Sequence, residues 1–261
     1  MKHDIIDFHT HPFIFPCDNI CAHKQSVKMD KDFTLELFND LGVKTFCGSV
    51  VTSRSLQKGT TLEVLENNNQ TAFELANYYK GAYYPGIHIH PDYVEFSIKA
   101  IDKAKSLGYN LIGELVPYFH GWSSYDSSAL DEIVDYASEK GMVISLHTQD
   151  DKGLDNLVKR HKNAVIVGAH PGEFDGIDRH IERAKLSDNY YIDLSGTGVH
   201  RFGAIQTLIN GFGAERVLYG SDYPTCNPNA FLYAVLNDKL IKDSDKELIL
   251  YKNAKRILNI K

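Results

Sequence analysis

Residues 5–11 read Ile-Ile-Asp-Phe-His-Thr-His. The apolar pair opens a short strand, and His9 and His11 end it two positions apart. Side chains alternate faces along a strand, so both imidazoles project to one side with Cα atoms about 6.6–6.8 Å apart. That spacing lets both rings converge on one metal ion. Later apolar runs end in the same way. Leu111-Ile112-Gly113 leads to Glu114, Val143-Ile144-Ser145-Leu146 to His147, Ile166-Val167-Gly168-Ala169 to His170, and Val217-Leu218-Tyr219-Gly220-Ser221 to Asp222. A ligand-type side chain at the C-terminal end of strand after strand is what a metalloenzyme on a parallel barrel requires.

Working outward, strand-like runs recur near 4–8, 43–51, 82–90, 110–116, 142–147, 164–169, 190–195 and 216–221. Helical patterns separate them, at 32–41, 61–80, 92–107, 128–140, 153–161, 176–187, 201–211 and 228–238, with a last one at about 244–258. Thr60 or Thr61 is a plausible N-cap for the second, and Gly141 a stop signal after the fourth. Strands alternating with helices imply a parallel sheet, and eight such units imply a closed (β/α)8 TIM barrel, a single domain over 1–261. An open doubly wound sheet would need a glycine-rich phosphate fingerprint after its first strand, where His-Thr-His-Pro stands instead.

The bulk properties agree. A barrel of this type takes about 250 residues, and the chain has 261, with 43% hydrophobic and 24% charged residues. The net charge of −6 argues against a nucleic-acid partner held by a basic surface. The sequence offers no membrane-spanning run and no signal-peptide pattern, so the cytoplasm is the expected location. Four cysteines, at 17, 21, 47 and 226, are too few for a disulfide framework. Cys17, Cys21 and His23 lack an evident fourth ligand for a metal knuckle.

In a barrel the strand C-termini share one mouth. His9, His11, Glu114, His147, His170 and Asp222 would all point into it, and neutral imidazole and carboxylate are ligands for Zn²⁺ and similar ions. A single strand-end histidine can be an ordinary hydrogen-bonded core residue; six converging groups are not explained that way. His88-Ile89-His90 is a second His-x-His, after strand three, and competes with the first by spacing alone. Asp7 lies one layer below His9. Tyr118, His120, Trp122, His200 and Arg201 fall in loops where a substrate would enter, and Arg201 is a candidate to grip an anion. There is no Gly-x-Ser-x-Gly elbow and no P-loop.

The Ile-Asp-x-His-x-His start, His147 and His170 at strand ends, Asp-Leu-Ser-Gly at 193–196, Gly-Ser-Asp-Tyr-Pro at 220–224 and the closing Asn253-Ala254-x-Arg256-Ile257-Leu258 resemble the amidohydrolase superfamily. They are most similar to its amidohydrolase-2 branch, which includes aminocarboxymuconate semialdehyde decarboxylase. The resemblance runs nearly the whole chain. It implies that His9, His11, His147 and Asp222 are metal ligands and that His170 lies near the metal and assists catalysis. It also sets His88 and His90 aside as ligands. Glu114 has two readings of equal standing. The Gly113-Glu114 pair is similar to that of TatD-like metal-dependent deoxyribonucleases, in which a glutamate bridges two ions and His170 joins the second. Alternatively, Glu114 hydrogen-bonds a ligand histidine. Asp222 can bind metal, and can also take a proton from attacking water and pass it to the leaving group.

The resemblance therefore implies a hydrolase of the amidohydrolase superfamily, using one or two divalent ions, zinc first, to cleave a C–N or C–O bond of a small polar substrate. The rivals are a nonoxidative decarboxylase of an unsaturated or aromatic carboxylate, a TatD-like phosphodiesterase or nuclease, and a barrel that binds metal without turnover. A homo-oligomer stays open.

Overall fold

The computed structural model describes residues 4–14, 29–52 and 61–260. The eight strands are β1 (Ile5–Asp7), β2 (Val43–Ser49), β3 (Tyr83–Ile87), β4 (Leu111–Leu115), β5 (Val143–His147), β6 (Val165–Ala169), β7 (Tyr190–Asp193) and β8 (Val217–Leu218). They pair in sequence order, each parallel to the next. The ring closes just beyond the strands, where the Phe8 amide donates to Tyr219 O at 2.9 Å, Asp222 N to His9 O at 2.8 Å and His11 N to Tyr223 O at 2.6 Å. The result is the (β/α)8 barrel that the alternation predicts.

The intervening helices are α1 (Lys31–Asp40), α2 (Leu62–Tyr79), α3 (Val94–Ser106), α4 (Ser128–Glu139), α5 (Asp151–Arg160), α6 (Phe174–Ala184), α7 (Ala204–Phe212) and α8 (Pro228–Asn237). Their ends follow local chemistry. Asp30 caps α1 by accepting from Phe33 N, and Ser127 caps α4 by accepting from Leu130 N. Thr61 occupies the N-cap position of α2 without a side-chain bond, and Thr60 lies outside the described residues. Gly141, with φ +66°, ends α4 as expected, and the amides of Gly141 and Met142 turn back to Ser138 O and Ala137 O.

Three elements depart from the sequence expectation. The run 82–90 stops as a strand at Ile87, because Asn69 of α2 takes both backbone groups of His88 out of the ladder. The run 216–221 keeps only Val217–Leu218 in the sheet, since the Tyr219 amide donates to Ile249 O. The last helix is interrupted: α9 (Asp243–Glu247) and α10 (Asn253–Leu258) flank a π-helical turn at Leu248–Lys252, the turn that gives up the Ile249 carbonyl. The candidate knuckle of Cys17, Cys21 and His23 lies outside the described residues.

Two apolar layers hold the barrel. The larger fills the space between strands and helices. The smaller draws Ile6, Cys47, Tyr84, Leu111, Val143, Val167, Tyr191 and Leu218 from the eight strands, with Ala254 and Leu258 of α10 beneath them. Val143 is four residues before His147 and Tyr191 two before Asp193, so these side chains share the face of the strand-end polar groups. The barrel interior is thus apolar below and polar at its mouth. No helix among the described residues is long and apolar enough to cross a membrane.

Asn253, fully buried, anchors α10 by donating from Nδ2 to Ala214 O and Val217 O, each at 2.8 Å. Asn253→Ala strands two buried carbonyls, so it is expected to cost about 2–4 kcal/mol in urea unfolding while leaving the far-UV circular dichroism of the native protein unchanged. A loss under about 0.5 kcal/mol would deny the anchor this role.

Candidate metal centre

The six strand-end residues meet at the mouth as expected. His9 and His11 follow β1, Glu114 stands in β4, His147 ends β5, His170 follows β6 and Asp222 follows β8. Glu114 is at the centre. Its Oε2 lies 3.2 Å from His9 Nε2 and 3.3 Å from His11 Nε2, and those two nitrogens are 3.3 Å apart. Its Oε1 lies 3.0 Å from His147 Nδ1 and 3.4 Å from His170 Nε2. Asp222 Oδ1 completes the first side, 3.6 Å from His11 Nε2 and 3.9 Å from His9 Nε2.

The far nitrogen of three rings is committed, and this fixes which atom faces inward. His9 Nδ1 donates to Asp193 Oδ2 at 2.9 Å. His11 Nδ1 donates to Ser49 O at 3.0 Å. His170 Nδ1 donates to Ser195 Oγ at 3.0 Å, and that hydroxyl in turn donates to Asp193 Oδ1. In the neutral rings the inward nitrogens are therefore bare lone pairs, aimed at a carboxylate and at one another. Such a cluster of acceptors needs positive charge among them. Mixed imidazole and carboxylate donors suit Zn²⁺ or Mn²⁺, so the residues present fit a divalent cation. Two groups of three have ligand atoms near enough to share one ion: His9, His11 and Glu114, and Glu114, His147 and His170. A third, His9, His170 and Asp193, uses ring nitrogens already engaged in the hydrogen bonds above.

Electrostatics follow the geometry. Burial alone would raise the Glu114 carboxyl, yet His9 and His170 outweigh it and hold it well below the usual carboxylate range. Burial opposes charge on His9 and His170, but Asp193 and Glu114 raise the first well above its ordinary value, and Glu114 raises the second. A proton and a divalent ion thus compete for the same lone pairs, and metal affinity falls with pH.

Backbone and small residues serve the same geometry. His170 and Asp222 adopt left-handed backbone conformations, with φ +65° and +58°, which few non-glycine residues occupy. The carbonyl of His170 accepts from His180 Nε2 at 3.2 Å; His180 Nδ1 accepts from Tyr190 Oη at 2.8 Å, and that oxygen accepts from Arg183 at 3.3 Å. Arg183 is anchored in turn by Asp155 and Asp151 at 2.6 and 2.9 Å. A Cβ on Gly196 would fall 2.2 Å from His170 Nδ1, and one on Gly220 2.8 Å from His9 Cβ. These contacts give physical meaning to Asp-Leu-Ser-Gly and Gly-Ser-Asp.

Asp193 and Ser195 are the residues that site selection from sequence missed. They sit at the end of β7 in the same strand-end position as the others, and the 193–196 motif was the signal. Asp7 acts as the interior acceptor expected of it, with Oδ1 receiving the amides of Ser221 at 2.9 Å and His9 at 3.2 Å. Arg201 is not turned to the centre: it pairs with Glu173 and lies over the Phe174 ring. His88, His90 and His120 are buried beside the centre and are not among its candidate ligands.

The amidohydrolase family model matches residues 6–260. Comparison with curated proteins gives no match. Among solved structures, the chain is similar to 2,6-dihydroxybenzoate decarboxylase from Rhizobium at 15% identity and TM-score 0.77, covering 99% of both chains. It is similar to 5-carboxyvanillate decarboxylase from Novosphingobium aromaticivorans, which holds manganese, at 14% identity and TM-score 0.79, covering 99% of this chain and 97% of that one. It is also similar to a dihydroxybenzoic acid decarboxylase from a Polaromonas species, with manganese and the inhibitor 2-nitroresorcinol, at 14% identity and TM-score 0.69, covering 99% and 97%. The strand-end histidines, the central carboxylate and a match over almost every residue lead to one conclusion: this chain is an enzyme of the amidohydrolase family.

Proposed function

We propose that this enzyme uses a divalent cation at the barrel mouth to decarboxylate, without an oxidant, a small aromatic or unsaturated carboxylate. The observation that carries the reading is Asp222, a carboxylate 3.6 Å from the His11 nitrogen that would hold the ion. An acid–base group and a cation position then face the same substrate atoms. Support comes also from the decarboxylases, whose scaffold this chain follows over 99% of its length. His9, His11 and Glu114, with Asp222 beside them, would hold the ion. When bound, the cation neutralises carboxylate charge and polarises an oxygen of the substrate.

The protein's own part is proton management. The bond from the ring or alkene carbon to the carboxylate breaks, CO₂ leaves, and the bonding pair stays on carbon. Asp222 takes a proton from water and delivers it to that carbon, which makes the new C–H bond. Its amide, bonded to His9 O, and its left-handed backbone hold it over the mouth. His170, whose protonated form Glu114 favours against the pull of burial, would steady the negative charge that develops.

Hydrolysis is the second reading, and Glu114 favours it. Each of its oxygens faces a separate histidine pair, an arrangement suited to two ions sharing one carboxylate. In that case Asp222 would take the proton of attacking water.

Release of ¹³CO₂ from carboxyl-labelled 2,6-dihydroxybenzoate or 5-carboxyvanillate by the manganese- or zinc-loaded protein is the expected result. Ester or amide cleavage with no CO₂ from either acid would move the assignment to hydrolysis. His9→Ala combined with His11→Ala is expected to abolish metal content and activity while the fold persists; unchanged metal by elemental analysis would refute the ligand assignment. Glu114→Gln distinguishes one ion from two. If two are held, stoichiometry approaches two per chain in the native protein and drops to one in the variant. A native value that stays near one in excess metal, with Glu114 unliganded in a crystal, leaves it as a hydrogen-bonding partner. Asp222→Asn can accept no proton, so a turnover lower by roughly 10²–10⁴-fold is expected with much of the metal retained. Near-normal turnover in the metal-loaded variant would exclude the proton-transfer role.

A further inference from the structure

Next to the centre lies a pair of imidazoles that the reaction as described does not use. His88 follows β3 and His120 follows the turn at Pro117–Phe119; they are 0% and 1% exposed. Their ring centroids are 4.6 Å apart at an interplanar angle of 56°.

Almost everything about these residues except the ring edges is committed. Asn69 clamps the His88 backbone, accepting from its amide at 2.7 Å and donating to its carbonyl at 3.0 Å. His88 Nε2 donates to Val50 O at 2.8 Å. A carbonyl can only accept, so in the neutral ring the proton sits on Nε2 and Nδ1 is a bare lone pair. The His120 amide donates to Pro117 O at 3.0 Å, and its carbonyl accepts from His90 Nε2 at 2.9 Å. His88 Nδ1 and both ring nitrogens of His120 have no hydrogen-bond partner among the described residues. Buried polar atoms of this kind are rare, and leaving one unmet is costly.

Burial favours the neutral form of both rings. Burial pushes His88 down to about 4, and burial together with the neighbouring His88 and His90 pushes His120 well below its ordinary value. The unpartnered ring nitrogens therefore offer one lone pair from His88 and one N–H with one lone pair from His120. A hydroxyl matches this set, since it both donates and accepts. A carboxylate has no proton for the His88 lone pair, and an ammonium has no lone pair for the His120 N–H.

The position adjoins the metal centre. Val50, which holds His88, follows Ser49, whose carbonyl holds His11 and whose hydroxyl donates to Glu114 O at 2.8 Å. We propose that His88 and His120 form a hydroxyl-binding subsite beside the metal centre, which selects substrates carrying a hydroxyl group. The substrate assignment rests on the decarboxylase reading; the subsite itself rests on the two rings.

His120→Phe is the informative variant, because it removes only ring nitrogens that have no partner among the described residues. A merely structural His120 would leave ligand binding unchanged, and phenylalanine would stabilise the fold or be neutral. The manganese-loaded protein is titrated calorimetrically with 2-nitroresorcinol and with nitrobenzene, which lacks hydroxyls. The expected result is resorcinol affinity about tenfold weaker in His120→Phe, nitrobenzene affinity equal in both proteins, and a urea midpoint no lower than native. Equal resorcinol affinity in both proteins overturns the subsite and leaves the decarboxylase reading standing. If the native protein binds no 2-nitroresorcinol, the substrate assignment fails, and a phenol-soaked crystal decides the subsite. A phenol oxygen between His88 Nδ1 and the His120 ring upholds it; rings bonded to each other or only to water overturn it.

Discussion

The mouth of this barrel is organised around one buried carboxylate. Glu114 carries a negative charge in a place that water does not reach, and a charge there is tolerated only if partners surround it. Four histidine nitrogens face it, two at each oxygen, and the protons or cations they hold supply the balancing charge. Because the carboxylate is planar and rigid, its two oxygens divide the mouth into two compartments that share a wall. The rings on either side face the same charge, so neither compartment can rearrange without disturbing the other.

The surrounding hydrogen bonds turn this attraction into a defined geometry. An imidazole has two nitrogens, and attraction alone does not decide which one faces inward. Asp193, Ser49 O and Ser195 each occupy an outer nitrogen and so settle the question for His9, His11 and His170. Behind His170, a directional chain leads from Asp151 and Asp155 through Arg183, Tyr190 and His180 to the His170 carbonyl. It links the outer helices to a residue whose backbone conformation is unfavourable on its own. His88 and His120 differ: their backbones are held as firmly, but His88 Nδ1 and both His120 ring nitrogens have no partner among the described residues.

Much of this was legible in the sequence because both parts of the pattern are periodic. Strands alternating with helices gave the barrel, and a ligand-type residue closing run after run gave the six groups at the mouth. What stayed hidden depended on contacts between distant segments. The early end of β3 comes from Asn69, nineteen residues before His88. The break in the last helix comes from Tyr219 taking a helical carbonyl. Asp193 stands in a recognisable motif, but its role depends on an imidazole 184 residues away. Arg201 looked available because a charged side chain in a mouth loop gives no sign of its partner, and Glu173 lies on a different loop.

The seam of the barrel has a consequence of its own. His9 and His11 belong to the first strand and Asp222 to the segment after the last, so a ligand gripped by all three spans the join between the two ends of the sheet. Anything bound there acts as a clasp on a hoop. It binds only the closed ring, and therefore weights the equilibrium toward closure by mass action. The contacts it reinforces have the longest sequence separation in the sheet and carry the largest chain-ordering cost before they form. Escape of the ion and parting of the first strand from the last would then be two views of one event, and the lifetime of the bound ion would measure how long the hoop stays shut.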